Sequence, residues 1–146
     1  MKSTEGPAAS YVIIVGCGRL GAYIAQTLSS RGSSVVVIDK NPAAFSELPS
    51  EFSGFSIEGD AAEISVLRQA KASRADLFIA VTGSDSLNLM AAQVASKVLG
   101  AKRTVARVDD PDRASSFEEL GIEIVSPTTV SAGRFLTQIS YPKGRE

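Results

Sequence analysis

A short apolar run leads directly into a glycine-rich turn near the start of the chain. The run is Tyr11 to Val15, and the turn reads Gly16-Cys17-Gly18-Arg19-Leu20-Gly21, a G-x-G-x-x-G pattern. In this pattern the first glycine permits a tight turn out of a strand, the second lets a pyrophosphate approach the backbone, and the third lets the following helix pack closely on the sheet. The sequence therefore predicts a strand, a phosphate-binding turn and a helix whose positive dipole end faces the ligand.

An acidic residue at the end of the next apolar run supports this interpretation. The run Ser33-Ser34-Val35-Val36-Val37-Ile38 ends at Asp39, eighteen positions after Gly21. Dinucleotide-binding proteins place a ribose-binding carboxylate at an interval of about 20 residues. A carboxylate at this position repels a ribose 2′-phosphate, which favours NAD(H) or ATP/ADP over NADP(H). A glycine-rich turn that binds no ligand is the alternative.

Composition excludes several classes of function. The 146 residues predict one domain, and 15 basic against 16 acidic residues, with no basic run, give no basis for nucleic-acid binding. No apolar stretch approaches the ~20 residues of a membrane span, and the polar segment 1–10 is unlike a secretory signal. The single cysteine, Cys17, excludes an intrachain disulfide and fits a reducing compartment. We therefore expect a cytoplasmic protein that does not insert directly into the membrane.

The chain also contains no histidine. Histidine is the commonest general base and the commonest transition-metal ligand in proteins. Its absence excludes a histidine-based dehydrogenase, although Asp, Glu, Lys, Tyr and Cys still permit other chemistry. No catalytic residue is predicted.

Apolar runs alternate with helix-period segments along the rest of the chain, a pattern typical of βαβ units. The predicted strands are 11–15, 34–39, 54–58, 76–82, 104–108 and 122–125. The residues predicted to face the core from the helices between them are Leu20, Ile24, Leu28, Ile64, Leu67, Ala70, Leu87, Ala91, Val94, Val98, Ala114, Phe117 and Leu120. Together these elements predict an α/β Rossmann-type doubly wound parallel sheet, order 3-2-1-4-5-6, in a single domain over residues 11–140. Residues 1–10 are predicted to be a disordered lead, and 141–146 a tail.

The ligand crevice of such a sheet lies at the carboxyl ends of strands one and four, where Thr82 and Gly83 are expected. Arg19 would lie beside the positive end of a helix, which is unfavourable unless an anion offsets the charge. A phosphate contact for Arg19 is therefore favoured over a solvated position. Asp60 follows the third strand, where it is predicted to cap the next helix, either alone or while also contacting the ligand.

Taken together, these segments resemble a known family, the nucleotide-binding RCK N-terminal domain, also called the KTN or TrkA N-terminal domain. This family regulates bacterial potassium uptake systems and channels. The resemblance covers about 11–139 and rests on the glycine turn, Val36-Val37-Ile38-Asp39-Lys40-Asn41, Gly59-Asp60-Ala61, Ala80-Val81-Thr82 with Asp85 and Asn88, Ala106-Arg107-Val108, and Gly121-Ile122 leading to Ser126-Pro127. The Gly-Asp-Ala segment and the arginine in the glycine turn distinguish it from generic dehydrogenases.

The resemblance implies a nucleotide site and a role for it. The implied cofactor-binding residues are Gly16, Gly18, Arg19, Leu20 and Gly21 at the phosphates, Asp39 with Lys40 at the ribose end, Asp60 and Ala61 at the adenine, and Thr82 and Arg107 along the remainder of the ligand. The implied function is a regulatory subunit that changes shape with bound NAD(H) or ATP/ADP and acts on a membrane potassium transporter or channel. The family typically forms homo-oligomers, here through the apolar face of the last helix, Phe135, Leu136 and Ile139. The alternative is that this face packs on its own domain.

Two departures from the family pattern change what the resemblance implies. Members usually continue into a C-terminal ligand-sensing domain, whereas this sequence stops after the nucleotide-binding part, so regulation by that module is not expected. Some members also carry a glutamate, associated with a divalent cation, directly after the proline that ends the sixth strand. Here Thr128 follows Pro127, and no metal site is predicted.

Two other classes of protein are alternatives. An NAD-dependent oxidoreductase needs a substrate pocket and an acid/base partner, usually from a second domain, and no segment is left to supply them. The Tyr-x-x-x-Lys dyad of short-chain dehydrogenases is also missing, because Tyr141-Pro142-Lys143 has the wrong spacing. A methyltransferase-type binder of S-adenosylmethionine is disfavoured by Gly21 and the phosphate-facing turn.

Overall fold

The computed structural model describes residues 11–140, which contain one six-stranded sheet. Its strands are β1 (Tyr11–Val15), β2 (Ser34–Asp39), β3 (Phe55–Glu58), β4 (Leu77–Ala80), β5 (Thr104–Arg107) and β6 (Glu123–Val125). Their order across the sheet is β3-β2-β1-β4-β5-β6, and all neighbouring strands are parallel. The predicted Rossmann-type topology is confirmed. The predicted lead, 1–10, and tail, 141–146, lie outside the described residues.

Helical segments form the connections between the strands. The α-helices are α1 (Arg19–Ser30), α2 (Ile64–Gln69), α3 (Asp85–Gln93), α4 (Pro111–Phe117) and α5 (Pro127–Ser140). Shorter 3₁₀ segments are Pro42–Glu47, Ala72–Arg74 and Glu118–Leu120, and one π-helical turn, Val94–Val98, extends α3. The side chains of Asn41, Ser84 and Asp110 accept backbone N–H groups at the starts of their segments. These caps explain where the segments begin.

Strand β1 lies in the middle of the sheet and is buried on both faces. Val12 and Ile14 belong to the apolar cluster that includes Ala22 and Ala25 of α1. Ile13 and Val15 belong to the opposite cluster, with residues of α2 and α3. Successive side chains of a strand point to opposite faces, so a strand covered by helices on both sides must be apolar throughout. This accounts for the unbroken apolar run before the glycine turn.

The glycine turn brings α1 very close to the end of β1. Gly16 has φ +107°, a conformation that L side chains rarely adopt. A Cβ added to Gly21 would lie 1.9 Å from the carbonyl oxygen of Gly16 and 3.2 Å from Cγ2 of Val81. The third glycine of the pattern therefore packs helix against turn, as the sequence predicts.

Val98 is an incorrect prediction of the core face of α3. It is 60% exposed, although helical spacing from Val94 predicts burial. The cause is the π-helical turn, in which the N–H of Leu99 donates to the carbonyl oxygen of Val94 at 3.0 Å. An extra residue in the turn rotates the following side chains, so Leu99 packs against the core and Val98 faces outward.

Leu20, Ile64 and Leu120 were also wrongly predicted to be core residues, with exposed fractions of 39%, 36% and 40%. Leu20 is in the first turn of α1, which buries only its small residues Gly21, Ala22 and Ala25. Ile64 is the first residue of the short helix α2. Leu120 ends a 3₁₀ turn, whose tighter winding breaks the α-helical spacing from Phe117.

The last helix, α5, contributes no buried residue. Phe135, Leu136 and Ile139 are 69%, 61% and 71% exposed. With Ala132 they follow the i, i+3, i+4, i+7 spacing of one helical face. The alternative that this face packs on its own domain is therefore wrong. No helix among residues 11–140 is long and apolar enough to span a membrane.

Replacing the third glycine tests the helix–turn contact. We expect Gly21→Ala to lower the free energy of unfolding by about 3 kcal/mol, the upper part of the range for overpacking, because the new methyl group meets a backbone carbonyl. Gly18→Ala is the matched control, since a Cβ there meets no atom within 4 Å, and it should change stability by less than about 1 kcal/mol. Urea unfolding followed by circular dichroism measures both. Equal stability of the two variants would contradict the proposed close packing.

Candidate functional site

A cleft of about 440 Å³ lies at the carboxyl ends of the central strands. Ten of the eleven predicted cofactor-binding residues line it: Gly16, Gly18, Arg19, Leu20, Asp39, Lys40, Asp60, Ala61, Thr82 and Arg107. The eleventh, Gly21, is buried beneath the glycine turn, where it holds α1 against Gly16. Gly83, expected in the crevice, also lines the cleft. The fold thus brings together residues that are far apart in the sequence.

The floor of the cleft is formed by the glycine turn and the start of α1. Gly18 is the N-cap residue of this helix. Because glycine has no side chain, it offers no side-chain oxygen to accept a hydrogen bond from the first N–H groups of the helix. An α-helix leaves its first N–H groups without intrahelical acceptors, and together with the helix dipole they favour an anion. The space beside Gly18 is open, since an added Cβ would meet no atom within 4 Å. The turn is therefore suited to a phosphate group.

Asp39 ties the glycine turn to the end of β2. Its Oδ2 accepts the N–H of Cys17 at 2.8 Å, and its Oδ1 accepts the N–H of Asn41 at 2.9 Å. An ionised carboxylate has about four acceptor positions, so each oxygen keeps a lone pair for a further donor. Asp39 lines the cleft, and these positions suit the hydroxyl groups of a ribose. The sequence predicts the carboxylate but not its links to the backbone.

Asp60 caps a turn rather than a helix. Its Oδ1 accepts the N–H of Ala62 at 2.9 Å, whereas the N-cap of α2 is Glu63. The expectation that Asp60 caps the next helix is therefore wrong, because α2 begins about one turn later in the chain. Its second carboxylate oxygen makes no hydrogen bond within residues 11–140, and Asp60 lines the cleft beside Ala61.

Asn88 of α3 is a buried polar residue that joins the ends of β4 and β5. It is 0% exposed. Its Oδ1 accepts the N–H of Thr82 at 2.9 Å and the Thr82 hydroxyl at 2.7 Å, and its Nδ2 donates to the carbonyl oxygens of Thr82 at 3.0 Å and Arg107 at 2.9 Å. All its hydrogen-bonding capacity is used, as burial requires. Asn88 therefore fixes two cleft residues relative to each other.

A second polar network fixes the loop after β5. The carboxylate of Asp85, in the first turn of α3, accepts the N–H groups of Asp109 at 2.9 Å and Asp110 at 3.2 Å. The Arg107 guanidinium donates to the carboxylate of Asp109 at 3.0 and 3.2 Å. Arg107, which lines the cleft, is therefore already paired with a carboxylate.

The cleft contains three cations and two carboxylates, the latter being Asp39 and Asp60. Arg19 and Lys40 have no ion-pair partner among the described residues, whereas Arg107 pairs with Asp109. An unpaired cation at the positive end of α1 is unfavourable by itself. An anionic ligand offsets both the cation and the dipole.

The thiol of Cys17 lies inside the glycine turn and is inert. It is 0% exposed. Burial, with smaller contributions from the negative charges of Asp39 and Glu47, raises its pKa from the ordinary 9.0 to about 11. The thiolate is the reactive form of cysteine, so this residue supplies no nucleophile at neutral pH. Within residues 11–140 no group of three or more His, Cys, Asp or Glu side chains is arranged to hold a metal.

The sequence was compared with those of known protein families. Residues 12–127 match the model of the TrkA-N domain. This chain belongs to the TrkA-N domain family. The match includes every residue of the cleft and the whole sheet except Tyr11, the first residue of β1.

Curated relatives from this family are potassium uptake proteins. The "Trk system potassium uptake protein TrkA" of Streptomyces coelicolor is 37% identical over 136 residues, which are 93% of this chain and 60% of that protein. The TrkA homolog of Pyrococcus abyssi is 38% identical over 138 residues, 90% of this chain and 61% of that protein. The chain thus spans about 60% of the length of these relatives.

Solved TrkA-N-like structures include nucleotide complexes. The Kef C-terminal domain of Shewanella denitrificans in its AMP-bound form has a TM-score of 0.72 and 28% identity, covering 86% of this chain and 77% of that one. GsuK bound to ADP has a TM-score of 0.74 and 26% identity, covering 88% and 33%. The GsuK channel bound to NAD, at 22% identity and a TM-score of 0.70, covers 87% and 23% and shares the fold.

The sequence analysis does not predict several of the residues that line the cleft of this TrkA-N domain. They are Val15, Ile38, Asn41, Ala44, Gly59, Val81 and Leu87. Val15, Ile38 and Val81 are apolar core residues at or next to strand ends, so their type alone does not separate a cleft wall from a buried position. Asn88 is a different case, because an amide within the apolar spacing of a helix is a signal of a buried hydrogen-bonding role.

The raised pKa of Cys17 predicts low reactivity and a definite pH dependence. We expect the folded protein to react negligibly with a thiol-specific disulfide reagent at pH 8, whereas the chain unfolded in guanidinium reacts at once. Because the unfolded thiol ionises first, the thiol's contribution to stability is complete below pH 9 and is lost as the pH rises toward 11. The variant Cys17→Ala should lack this component of the pH profile. Rapid labelling of the folded protein would contradict burial of the thiol.

Proposed function

We propose that this chain is a regulatory domain that binds an adenine nucleotide, NAD(H) or ATP/ADP, and transmits its presence to a membrane potassium transporter or channel. The observation that carries the proposal is the convergence of three features in one cleft. They are an uncapped helix start, two cations, Arg19 and Lys40, without an ion-pair partner among residues 11–140, and a carboxylate, Asp39, with acceptor positions left over. Each of these features is costly or unused without a ligand that carries phosphates and sugar hydroxyls.

The order of the strands suggests how such a ligand would lie. Asp60 and Ala61, after β3, would border the adenine, and Asp39, at the end of β2, would bind the ribose. The glycine turn after β1 would hold the first phosphates. The cleft continues past the turn to Thr82, Gly83 and Arg107, which leaves room either for further phosphates or for the second half of a dinucleotide. The geometry therefore supports NAD(H) and ATP/ADP alike.

The names of the relatives support the biological role. The curated relatives are potassium uptake proteins, and two similar structures hold AMP and ADP. By analogy, this domain would act at the inner face of the membrane through a transporter or channel subunit. Its location would be cytoplasmic, with the membrane partner supplying the attachment.

A regulatory role is favoured over catalysis. In the cleft, both oxygens of Asp39 accept backbone N–H groups, which gives this carboxylate a structural role at the glycine turn. Cys17 is buried and protonated. A regulator needs only different affinities in two conformations, since a ligand that binds both equally shifts neither.

The exposed stripe of α5, defined by Ala132, Phe135, Leu136 and Ile139, supports a homodimer. Three large apolar side chains on one helical face, each more than 60% exposed, are unfavourable in water and favour burial against a partner. A second copy of the chain is the occupant that we propose. A dimer would contain two nucleotide clefts. Ligand binding could then change the arrangement of the two subunits at their interface.

Two variants test the nucleotide site. Asp39→Ala should weaken ATP and NADH binding on the order of a hundredfold by removing two hydrogen bonds to a charged group. It should weaken 2′,3′-dideoxy-ATP much less, because that ligand lacks the hydroxyls. Arg19→Ala should weaken ATP more than AMP, because the cation offsets phosphate charge. Calorimetric titration with NADH, NAD, ATP, ADP and AMP measures both effects and identifies the preferred ligand.

The matched control for the ribose carboxylate is Glu58→Ala. Glu58 is the β3 partner of Asp39 in the sheet register, yet it does not line the cleft. The Glu58→Ala variant should bind all ligands with the same affinity as the parent protein. If Asp39→Ala weakens ATP and its dideoxy analogue equally, Asp39 acts only on the backbone of the turn. If neither cleft variant differs from the parent, the site assignment is wrong.

The dimer is tested on α5. We expect Phe135→Asp to convert a dimer into a monomer, because a charge buried in an apolar interface has no partner. Thr137→Asp is the control, since Thr137 lies about 160° around the helix from Phe135 at about 100° per residue. Light scattering after size-exclusion chromatography measures the mass. A parent protein that is monomeric at micromolar concentration would refute the dimer without affecting the nucleotide site.

A further inference from the structure

The Arg107 guanidinium lies between the cleft and a carboxylate outside it. Arg107 lines the cleft, and Asp109 does not. Nε of Arg107 donates to Oδ1 of Asp109 at 3.0 Å, and Nη2 donates to Oδ2 at 3.2 Å. This bidentate pair uses two of the five guanidinium N–H donors, so three are left for a ligand. The positive charge of Arg107 can therefore act on both Asp109 and a ligand bound in the cleft.

Asp109 is held in place by its backbone. Its N–H donates to Oδ1 of Asp85 at 2.9 Å, and its carbonyl oxygen accepts the hydroxyl of Ser126 at 3.4 Å. Residues i and i+2 of an extended segment point to the same side, which places the carboxylate beside the guanidinium. These hydrogen bonds keep the backbone of Asp109 beside Arg107. Its carboxylate therefore lies next to the guanidinium but does not line the cleft.

The position of Arg107 determines which part of a ligand meets this charge. Across the sheet the strands follow the order β2, β1, β4, β5. If the ribose lies at Asp39 on β2 and the first phosphate over the turn after β1, each additional phosphate extends toward β4 and β5. Arg107, the last residue of β5, then meets the distal phosphates and not the first.

We propose that Asp109 is a specificity-determining residue that lowers the preference of the cleft for long, highly charged phosphate chains. It does so by neutralising part of the Arg107 charge and by repelling the distal phosphates. The loss of affinity caused by Asp109 increases from AMP to ADP to ATP, because the negative charge of the ligand near Asp109 increases in that order. This inference rests on the proposed nucleotide-binding function and deepens it.

The variant Asp109→Asn tests the proposal. It keeps the size of the side chain and both backbone hydrogen bonds of Asp109. It removes the charge and leaves one acceptor oxygen, so one of the two hydrogen bonds from Arg107 is also lost. We expect ATP to bind on the order of tenfold more tightly than to the parent, ADP less so, and AMP within about twofold. The gain should shrink as salt is raised from 50 to 500 mM, since salt screens exposed charges. Glu118→Gln makes the same charge change in the 3₁₀ segment after α4, outside the cleft, and should leave all three affinities unchanged.

A double-mutant cycle separates this role from a merely structural one. If Asp109 acts through Arg107, Arg107→Gln should remove most of the gain given by Asp109→Asn, so that the two changes are not additive. Asp109→Ser provides a second neutral variant should the Asn protein fold poorly, and the melting temperature checks every protein. Nucleotide affinities that shift equally for AMP and ATP, or a strictly additive cycle, would overturn the proposal.

The same titrations keep this proposal distinct from the proposed function. A parent protein that binds ATP, with an Asp109→Asn variant that binds it equally well, removes the role of Asp109 and leaves the nucleotide site intact. A parent protein that binds NADH but none of AMP, ADP and ATP removes the role of Asp109 alone. A parent protein that binds neither NADH nor any of these three nucleotides removes both.

Discussion

The contact between Gly21 and the carbonyl group of Gly16 is the constraint on which the rest of the site depends. A Cβ at Gly21 would lie 1.9 Å from that oxygen, so α1 reaches its position only because the residue has no side chain. Its position places the start of α1, with its unpaired N–H groups, directly above the end of β1. The N–H of Gly16 also donates to the carbonyl oxygen of Ile38 at 2.8 Å, which ties the turn to β2. Helix, turn and ribose carboxylate therefore form one rigid unit.

The other half of the cleft depends on buried polar groups instead of close packing. Asn88 has no contact with solvent and uses its full hydrogen-bonding capacity on Thr82 and Arg107. A buried amide is costly unless every donor and acceptor is satisfied, so the arrangement stabilises only one relative placement of β4, β5 and α3. Asp85 does the same for the loop after β5. These networks make the distal side of the cleft sensitive to small changes of charge, because its cation is fixed and already paired.

The sequence predicts the fold almost completely, because strand order in a doubly wound sheet follows from the alternation of elements and the place of the glycine turn. It also predicts most residues of the cleft, since they stand at the carboxyl ends of strands. It fails at Val98 and Leu120, where a π-helical and a 3₁₀ turn replace the α-helical period. It fails to predict the pairing of Arg107 with Asp109, since a carboxylate two residues away in a loop has no sequence signal that distinguishes a partner from a solvated side chain.

The charges of the cleft connect these observations to regulation. Arg19 and Lys40 have no ion-pair partner in the part of the chain that the structure describes, whereas Arg107 pairs with Asp109. In the proposed orientation, the proximal side attracts any ligand that carries a phosphate, and Arg19 favours ligands with more phosphate charge. On the distal side, an added phosphate would compete with Asp109 for the guanidinium and would approach a loop that also contacts Ser126, just before α5. Under the proposed function, a ligand that changes this contact would act on the helix that carries the exposed apolar stripe, and the identity of the nucleotide would then reach the proposed dimer interface.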